Sequence, residues 1–398
     1  MAGSPEMKIM IYSQDGFGLG HLRRNLNISI QIKKRCPEAS ILIIADSPKA
    51  PFFKLPPKCD FIKIPTIVKV DTGVWRPNRL AMGYRELLTI RSEIIKNVAI
   101  SFQPDVFLVD HMPHGALGEL ARPLEVLRAQ CPRTKIILGL RDILGAPDVI
   151  RRQWQSEGAF AAASNFYDAV LIYGCANVFD ALTEYQFPEG LLGRTQYCGY
   201  VSREQDAPVF DSSALQTLLG SEPRGKFILV TGGGGADASY FMDQFIEAVR
   251  HLQPTNGDFT AVISTGPFMH KDQRRLLRQK AVGLPIIVTQ MGQDSIRFLS
   301  HADLVISMAG YNTVSEIMRY RKNAIIVPRP GPSLEQTMRT RILTERGLFS
   351  SIHPNVLTAG NLAELIRQRL QDGAGMNEAM LPDLNGASRV ANFVLSAL

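Results

Sequence analysis

The stretch that decides the fold reads His301-Ala-Asp-Leu-Val-Ile-Ser-Met-Ala-Gly-Tyr-Asn-Thr-Val-Ser-Glu316. Its apolar run, which ends at Ser307, is typical of a buried strand, and Ala309-Gly310 predicts a turn with little side-chain bulk. A helix is predicted to begin near Thr313. The free N–H groups and the dipole of such a helix favour a bound diphosphate, and Glu316 is placed one turn later to accept hydrogen bonds from a ribose diol.

A structural alternative exists for the same two helix residues. Thr313 and Glu316 have the Thr-x-x-Glu spacing of a capping box, in which side chains satisfy the unpaired amides of a helix start. The two interpretations are compatible, because a capped helix start still leaves donors free for a ligand. The spacing alone leaves both open.

Short, apolar, β-branched runs recur along the whole chain and alternate with longer amphipathic stretches. This alternation predicts an α/β protein with parallel sheets and right-handed crossovers. The predicted strands cover residues 8–12, 41–45, 105–110, 135–140, 169–173, 227–230, 259–263, 285–288, 304–307 and 324–327. Two such halves in tandem predict two facing Rossmann-like domains with an interdomain cleft, and ligands bind beyond the carboxyl ends of the strands in sheets of this kind.

The domain boundaries follow from where the alternation lapses. Residues 7–203 are predicted to form the N-terminal domain, and residues 225–385 the C-terminal one. Polar residues and prolines predict a linker over residues 204–224. Residues 386–398 are expected to form a C-terminal helix that packs back on the N-terminal domain.

The composition is that of a soluble globular protein: 398 residues, 45% hydrophobic and 20% charged. No apolar run approaches the ~20 residues of a membrane span, and no leader precedes the first strand, so a cytoplasmic location is expected. The five cysteines are scattered without a Cys-x-x-Cys pair, which predicts neither a zinc site nor disulfides.

A net charge of +7 suits phosphate ligands, an anionic membrane surface or nucleic acid, although a solvated basic face is the simpler interpretation. The absence of an aromatic-interleaved basic motif argues against nucleic acid. Much of this charge lies in the C-terminal half, in Arg319, Arg321, Lys322, Arg329, Arg339, Arg341 and Arg346.

A first glycine loop, Asp15-Gly-Phe-Gly-Leu-Gly-His21, follows the first predicted strand and opens a helix. A dinucleotide site needs Gly-x-Gly-x-x-Gly and an acidic residue ending the second strand, where Asp46 stands. The third glycine comes one residue early, however, and His21 stands beside it. The spacing therefore disfavours a dinucleotide and leaves a tight strand–helix turn as the structural alternative.

A second glycine loop, Thr231-Gly-Gly-Gly-Gly235, follows the first strand of the C-terminal half. Four consecutive glycines expose successive backbone N–H groups beside the start of a helix, which favours a phosphate. The loop lacks the Gly-Lys-Ser/Thr of a P-loop. A flexible turn is the alternative.

The C-terminal half resembles the nucleotide-sugar domain of glycosyltransferase family 28. That family includes the N-acetylglucosaminyltransferase that makes lipid-linked peptidoglycan precursor and diacylglycerol glycosyltransferases. The positions that match its signature are Ala302, Asp303, Ser307, Gly310, Thr313, Glu316, Val327, Pro328 and Gln336. The Gly-Leu-Gly-His21 turn is similar to the family's N-terminal Gly-x-Gly-Gly-His turn. Tyr311 stands where the family usually has a small residue, and Met308 where it often has a basic one.

The resemblance implies the GT-B architecture and a role for each matching residue. Gly234 and Gly235 would approach the donor diphosphate, and Gly310, Asn312 and Thr313 would bind phosphate at the helix start. Glu316 would hold the ribose, Glu335 and Gln336 would face the sugar hydroxyls, and the segment from Val288 to Met291 would form the base pocket. The remaining expected donor-site residues are Gly18, Gly233 and Arg329.

The chain contains no Asp-x-Asp pair, the usual holder of a metal ion in metal-dependent glycosyltransferases. We therefore expect no metal and no cofactor beyond the nucleotide-sugar co-substrate. Backbone amides, the helix dipole and Arg329 would stabilise the leaving diphosphate. His21 is the leading candidate for the general base, because a neutral imidazole titrates near working pH. Asp110 and His111 are alternatives, and Asp142 is a further one.

The expected function is transfer of a sugar from a UDP-sugar, such as UDP-N-acetylglucosamine or UDP-glucose, to an unidentified acceptor. The resemblance implies inversion at the anomeric carbon. The partners would be a small-molecule donor and acceptor without nucleic acid, and Pro51-Phe-Phe-Lys-Leu55 suggests peripheral contact with a membrane. The alternatives are a UDP-sugar epimerase or hydrolase and a non-catalytic nucleotide-sugar-binding protein.

Overall fold

The computed structural model describes residues 7–15, 18–71, 74–203, 216–218, 225–252, 259–290, 295–331, 333–371 and 376–397. The chain divides into two compact units. Unit 1 comprises Met1–Ser202 and Asn385–Leu398, and unit 2 comprises Arg203–Leu384. The predicted linker, residues 204–224, lies almost entirely outside the described residues.

Unit 1 is built on a parallel sheet with the strand order β3-β2-β1-β6-β7-β8-β9. Its strands are β1 (Lys8–Ser13), β2 (Ser40–Ala45), β3 (Cys59–Lys63), β6 (Val106–Asp110), β7 (Lys135–Arg141), β8 (Ala169–Tyr173) and β9 (Thr195–Tyr197). An antiparallel pair, β4 (Ile67–Asp71) and β5 (Val74–Pro77), stands apart from this sheet. The helices are α1 (Gly20–Arg35), α2 (Tyr84–Phe102), α3 (Ala121–Gln130), α4 (Pro147–Ser156), α5 (Ala159–Phe166), α6 (Ala181–Glu184) and α7 (Glu189–Leu192).

Unit 2 has a second parallel sheet, with the strand order β12-β11-β10-β13-β14-β15. Its strands are β10 (Lys226–Thr231), β11 (Phe259–Ser264), β12 (Ile286–Thr289), β13 (Leu304–Ser307), β14 (Ala324–Ile326) and β15 (Ser350–Ser351). The helices are α8 (Ser239–Leu252), α9 (Lys271–Lys280), α10 (Ser295–His301), α11 (Tyr311–Arg319), α12 (Glu335–Glu345) and α13 (Ala359–Gln371). The apolar side chains of α8 pack with those of the sheet in one buried core.

Each sheet reverses its strand order beside its first strand. In unit 1, β1 pairs with β2 on one side and with β6 on the other; in unit 2, β10 pairs with β11 and β13. Such reversals separate the loops on the two sides and leave room for a ligand at the carboxyl ends of the strands. The architecture confirms the predicted α/β class, and the predicted glycine loops follow β1 and β10.

A further helix, α14 (Gly386–Ser396), belongs to unit 1 although it follows unit 2 in the sequence. The amide of Gly386 donates to the Tyr200 carbonyl over 3.0 Å, and Arg35 Nε on α1 donates to Asn392 Oδ1 over 2.6 Å. A Cβ atom at Gly386 would lie 2.4 Å from the Gly199 carbonyl oxygen, so only glycine permits this close approach.

In the described ranges, no helix combines the length and the apolar composition that a membrane span requires.

Candidate functional site

The start of α1 brings a histidine to the end of β6. His21 Nδ1 lies 3.1 Å from Asp110 Oδ2. The backbone of His21 is also held, because the amides of His21 and Leu22 each donate to the Asp15 carboxylate over 2.8 Å. Asp15 thus fills the start of α1 with a negative charge from the protein itself. The position of His21 is fixed through both its main chain and its ring.

Asp110 is fully buried among donors. Arg24 Nη2 donates to Oδ1 over 2.7 Å and to Oδ2 over 2.8 Å, and Asn25 Nδ2 donates to Oδ2 over 3.2 Å. Burial by itself raises the pKa of Asp110, but the charges of Arg24 and His21 outweigh it and hold this pKa below its ordinary value. Asp110 is therefore an ionised carboxylate at neutral pH, saturated with donors, which suits an orienting partner better than a base.

His111 follows Asp110 directly and lies beside His21, with the ring centroids 5.2 Å apart. Its backbone is left-handed, with a φ of 84°, and its amide donates to the Gly139 carbonyl over 2.7 Å. Burial, and then the positive charge of Arg141, holds the pKa of His111 well below its ordinary value. The second imidazole of this site is therefore uncharged at neutral pH.

In the described part of the chain, the close polar contacts of the His21 ring involve Nδ1. The side chain is 16% exposed, so the ring can be reached from solvent. Nε2 is the nitrogen that a substrate would meet. The structure thus brings the three predicted candidates His21, Asp110 and His111 together and gives them different environments.

The acidic residue that ends β2 has a structural partner. Asp46 is fully buried and lies 3.0 Å from Arg91 Nη1, while Arg91 also pairs with Glu119 over 2.5 Å. Tyr12 donates to Glu119 in the same network. Because Asp46 is buried in this ion pair, its carboxylate cannot reach the ribose of a bound dinucleotide. This excludes the dinucleotide interpretation of the first loop.

In unit 2 the second glycine loop is in backbone contact with another turn. Gly235 has a φ of 85°, and a Cβ atom there would lie 1.8 Å from the Thr265 carbonyl oxygen. Gly266 has a φ of 76°, and a Cβ atom there would lie 2.5 Å from the Gly233 carbonyl oxygen. Both turns therefore require glycine for their conformation and for their close approach. The sequence analysis missed the Thr265-Gly266 turn, although it directly follows a predicted strand.

The helix after β13 begins at Tyr311, two residues before the predicted start near Thr313. Its N-cap is Gly310, which has no side chain to offer the helix amides. Thr313 is therefore the third residue of the helix and not its cap, so the capping-box interpretation is wrong. A helix start without a capping side chain favours an anion.

The glycine loop and this helix start meet at one hydroxyl group. Cβ atoms placed at Gly233 and Gly310 would lie 3.7 Å and 4.0 Å from Thr313 Oγ1. Thr313 and Glu316 are largely buried on α11, 8% and 5% exposed. The structure thus assembles predicted donor-site residues from two separate segments.

Side chains of α12 hold the loops that follow β13 and β14. Gln336 Oε1 accepts from the Arg329 amide over 3.0 Å. Arg339 donates to the Ala309 carbonyl over 3.0 Å and pairs with Glu335 over 2.9 Å. Arg339 is fully buried, so its assignment to a solvated basic face was wrong. The sequence analysis missed its role because its partner Ala309 lies 30 residues away.

The remaining predicted residues have varied surroundings. Arg329 forms an ion pair with Asp237, which compensates part of its charge. The Gly18 amide donates to the Asp15 carbonyl over 2.7 Å. Asn312 lies in the first turn of α11. Met291 lies outside the described residues, so its predicted contact with the base is untested.

A row of hydroxyl side chains ends the strands of unit 2. Thr231 pairs in register with Ser264 and Ser307, and Ser264 pairs with Thr289. Four neighbouring strands therefore present a small polar residue at the carboxyl edge of the sheet. The signal was visible in the sequence, since Ser or Thr ends or directly follows each of these apolar runs.

Residues 227–391 match the model of the glycosyltransferase family 28 C-terminal domain. A UDP-N-acetylglucosamine--N-acetylmuramyl-(pentapeptide) pyrophosphoryl-undecaprenol N-acetylglucosamine transferase of Thermodesulfovibrio yellowstonii is 29% identical over 164 residues. That match covers 40% of this chain and 43% of the relative, less than half the relative's length. A transferase of the same name (number 1) from Bacillus thuringiensis subsp. konkukian is 22% identical over 390 residues, covering 94% of this chain and 93% of the relative.

The crystal structure of Acinetobacter baumannii MurG superimposes with a TM-score of 0.60 at 15% identity, covering 98% of this chain and 100% of that one. The chain has the GT-B fold, and its residues 227–391 are similar to the C-terminal domain of glycosyltransferase family 28. The relatives that this chain resembles are N-acetylglucosamine transferases by name. The structural likeness, at this level of identity, speaks for the fold alone.

Proposed function

We propose that this family 28-like protein transfers a sugar from a UDP-sugar to an acceptor, with inversion and without a divalent metal ion. One observation carries the proposal: the glycine loop after β10 and the start of α11 meet at the Thr313 hydroxyl. Two independent sets of backbone amides thus lie at one edge of the unit 2 sheet. The names of the relatives support UDP-N-acetylglucosamine as the donor.

In this proposal unit 2 binds the donor. The amides of Gly234 and Gly235 and those of the first turn of α11 hold the diphosphate, and Glu316 holds the ribose diol. Gln336 and Glu335 face the sugar. Gln336 contacts Arg329 and Glu335 contacts Arg339, and these contacts hold α12 beside the ends of the strands.

Unit 1 supplies the general base. His21 Nε2 takes the proton of the acceptor group while that group forms its bond to the anomeric carbon. The bond between this carbon and the β-phosphate oxygen breaks, and its electron pair leaves with UDP. Asp110, bound to Nδ1, holds the ring so that the lone pair of Nε2 faces the acceptor. The neutral His111 adds no charge to the site.

Backbone amides, the dipole of α11 and Arg329 stabilise the negative charge that develops on the leaving UDP. Two observations support transfer without a metal ion: the helix start has glycine as its N-cap, and the chain has no Asp-x-Asp pair. The ion pair with Asp237 holds the Arg329 side chain close to the second glycine loop, where it would stabilise the leaving diphosphate.

A peripheral membrane contact is proposed for the short helix Ala50–Phe52 of unit 1. Phe52 is 79% exposed, and Lys49 Nζ lies 5.6 Å from the centroid of its ring. An exposed aromatic ring beside a lysine suits the interface of an anionic membrane. Such a contact fits an acceptor that is itself attached to a lipid.

The proposal is tested by binding and turnover measured on the full chain. UDP, UDP-N-acetylglucosamine and UDP-glucose are expected to raise the melting temperature, whereas ADP and GDP are not, since stabilisation grows with ligand concentration over Kd. Transfer is then assayed with a panel of lipid and soluble acceptors, with and without EDTA.

Each alternative has its own result. Free sugar or an epimerised donor formed without any acceptor would show a hydrolase or an epimerase. Binding of UDP without turnover on any acceptor would show a binding protein. Loss of transfer in EDTA, restored by Mg²⁺ or Mn²⁺, would overturn the metal-independent mechanism.

A further inference from the structure

Two helices begin directly after strands β1 and β13, and they differ in what lies at their first amides. In unit 2, α11 has Gly310 as its N-cap, without a capping side chain and without an acidic residue in its first turn. In unit 1, Asp15 Oδ1 accepts from the His21 amide and Oδ2 from the Leu22 amide, each over 2.8 Å. A carboxylate of the protein therefore lies at the start of α1, where α11 leaves room for a ligand.

The amides that Asp15 engages are those with which a helix start binds an anion. His21 and Leu22 are the second and third residues of α1, which begins at Gly20. Amides at these positions donate to a capping side chain or to the oxygen atoms of a bound phosphate. The next amide, that of Arg23, donates to the Leu19 carbonyl over 3.0 Å. A phosphate group could bind this helix start only by displacing the Asp15 side chain.

Neighbouring groups hold Asp15 in this position. Ser13 Oγ donates to Oδ2 over 3.1 Å, and the Gly18 amide donates to the main-chain carbonyl of Asp15 over 2.7 Å. Burial raises the pKa of the Asp15 carboxyl group. Its two oxygen atoms nevertheless occupy the space beside the His21 and Leu22 amides in either protonation state. The obstruction to a phosphate is therefore a matter of geometry as well as of charge.

The arginines around the two histidines of this site have contacts of their own. Arg24 pairs with Asp110 over 2.7 Å, and Arg141 Nη2 lies 3.4 Å from His111 Nε2. A phosphate placed at the start of α1 would instead meet the Asp15 carboxylate, and like charges at short range repel each other. A hydroxyl group with uncharged neighbours would meet no such repulsion.

We infer that Asp15 is a specificity-determining residue for the acceptor, because it occupies the place that an acceptor phosphate would need at the start of α1. The acceptor is accordingly a hydroxyl compound without a phosphate or diphosphate next to the reacting oxygen. The inference rests on the proposed function, in which His21 is the base. It separates this chain from its relatives, whose names contain a pyrophosphoryl acceptor.

The first test is spectroscopic and uses the wild-type chain. Full-length protein is labelled with ¹⁵N-histidine and saturated with UDP, and the backbone amide signal of His21 is assigned with His21→Ala. This signal is expected to stay in place when inorganic pyrophosphate is added to millimolar concentration. A shift that saturates with pyrophosphate would overturn the inference. The measurement depends neither on enzyme activity nor on whether any Asp15 variant folds.

The second test opens the helix start. Asp15→Ala removes both acceptor atoms, and we expect pyrophosphate then to shift the His21 amide signal, with saturation in the millimolar range. Asp60→Ala is the control, because it removes the same charge from an exposed position of unit 1 and should leave the signal unmoved. A folded Asp15→Ala protein whose His21 signal ignores pyrophosphate would show that Asp15 is not the obstruction.

The third test measures the choice of acceptor. Each acceptor sugar is offered in two forms, joined to the same alkyl chain either through a diphosphate or directly as a glycoside. The wild type is expected to prefer the direct glycoside by at least about tenfold in kcat/KM, and Asp15→Ala is expected to reduce this ratio. A loss of kcat common to both forms leaves the ratio unaffected. Equal use of the two forms by the wild type, or a preference for the diphosphate, would contradict the inference.

The results separate this inference from the proposed function. If UDP does not raise the melting temperature and no sugar is transferred, the proposed function is wrong, and the His21 amide still reports whether pyrophosphate binds at the start of α1. If sugar is transferred but the wild-type His21 signal moves saturably with pyrophosphate, only the role of Asp15 is wrong.

Discussion

The two units share a parallel-sheet topology but differ in the residues at the carboxyl ends of their strands. In unit 1 the strands end in charged or titratable side chains such as Asp110 and Arg141, and the Asp15 carboxylate occupies the start of α1. In unit 2 the four neighbouring strands β10 to β13 end in hydroxyl residues, and the start of α11 has Gly310 as its cap. The same scaffold is thus specialised by a few residues at each carboxyl edge, for holding a titratable group in one unit and an anion in the other.

A buried arginine serves each edge in its own way. Arg24 compensates a carboxylate at the side chain that would perform proton transfer. Arg339 binds the Ala309 carbonyl and Glu335, and its guanidinium carbon lies 5.7 Å from the centroid of the Tyr311 ring. The first arginine sets a charge state, whereas the second sets the position of a backbone turn. The comparison predicts that damage to one edge leaves the task of the other intact.

The largest expected effect is on turnover, from the edge of unit 1. His21→Ala is expected to lower kcat by about 10²–10⁴-fold, the usual contribution of a general base, with the affinity for UDP unchanged. His270→Ala, at an exposed histidine of unit 2, is the control. Steady-state kinetics and calorimetric titration with UDP measure the two quantities. A parallel loss of UDP affinity would break the division of tasks between the units.

The next effect is on the stability of the edge of unit 2. Gly235→Ala forces a Cβ atom against the Thr265 carbonyl in a left-handed conformation, and we expect it to destabilise unit 2 by about 3 kcal/mol. Gly283→Ala is the matched control, because Gly283 has a φ of 78° but open space around its Cβ position. It should lose only about 1 kcal/mol. Equal losses in scanning calorimetry would show that the contact between the two turns is unimportant.

A smaller effect is expected on nucleotide affinity. Glu316→Gln should weaken UDP binding by about 10–100-fold, because a charge-assisted hydrogen bond to the ribose becomes a neutral one. The control is a ligand: 2′,3′-dideoxy-UDP lacks the diol and should bind the wild type and the variant equally. Undiminished binding of UDP to the variant would remove Glu316 from the donor site.

The smallest effect is on the pH dependence of the stability of unit 1. Burial depresses the pKa of His111 in the folded protein, so the unfolded chain binds more protons as the pH falls below about 6.5. Unfolding should therefore become easier from pH 7 to pH 5, by at most about 1.4 kcal/mol per pH unit for this one group. His111→Asn, which tolerates the left-handed backbone, should flatten this slope. An unchanged slope in urea unfolding would show that other groups determine it.

The sequence predicted the central strands of both sheets because these strands are buried on both faces. The strands β6 and β8 have every residue buried, and an apolar run is the necessary signature of such a strand. The edge strands β3 and β9 were not predicted, since exposed and half-buried residues mix along them. The two-residue strand β15 is too short to leave any pattern.

The glycines of the donor site were predictable because their requirement is local. A turn with positive φ after a strand demands glycine whatever surrounds it. The partners of the site were less accessible to prediction: Arg24 meets Asp110 across 86 positions, and Arg339 meets Ala309 across 30. The sequence analysis did not consider that His21, Arg24 and Asn25 share one face of α1, and nothing local identifies the carboxylate that they bind.

Helix α14 also has a consequence for how the chain is made. The ribosome delivers β1 to β9 first and the whole of unit 2 next, and only then the helix that lies against α1. The hydrogen bond between Ser388 and Gln31 spans 357 positions, so this contact can form only after unit 2 has been synthesised. Until then one side of α1 lies uncovered, while unit 2 can fold ahead of it. A stalled or truncated transcript should accordingly yield a finished donor half attached to an unfinished partner.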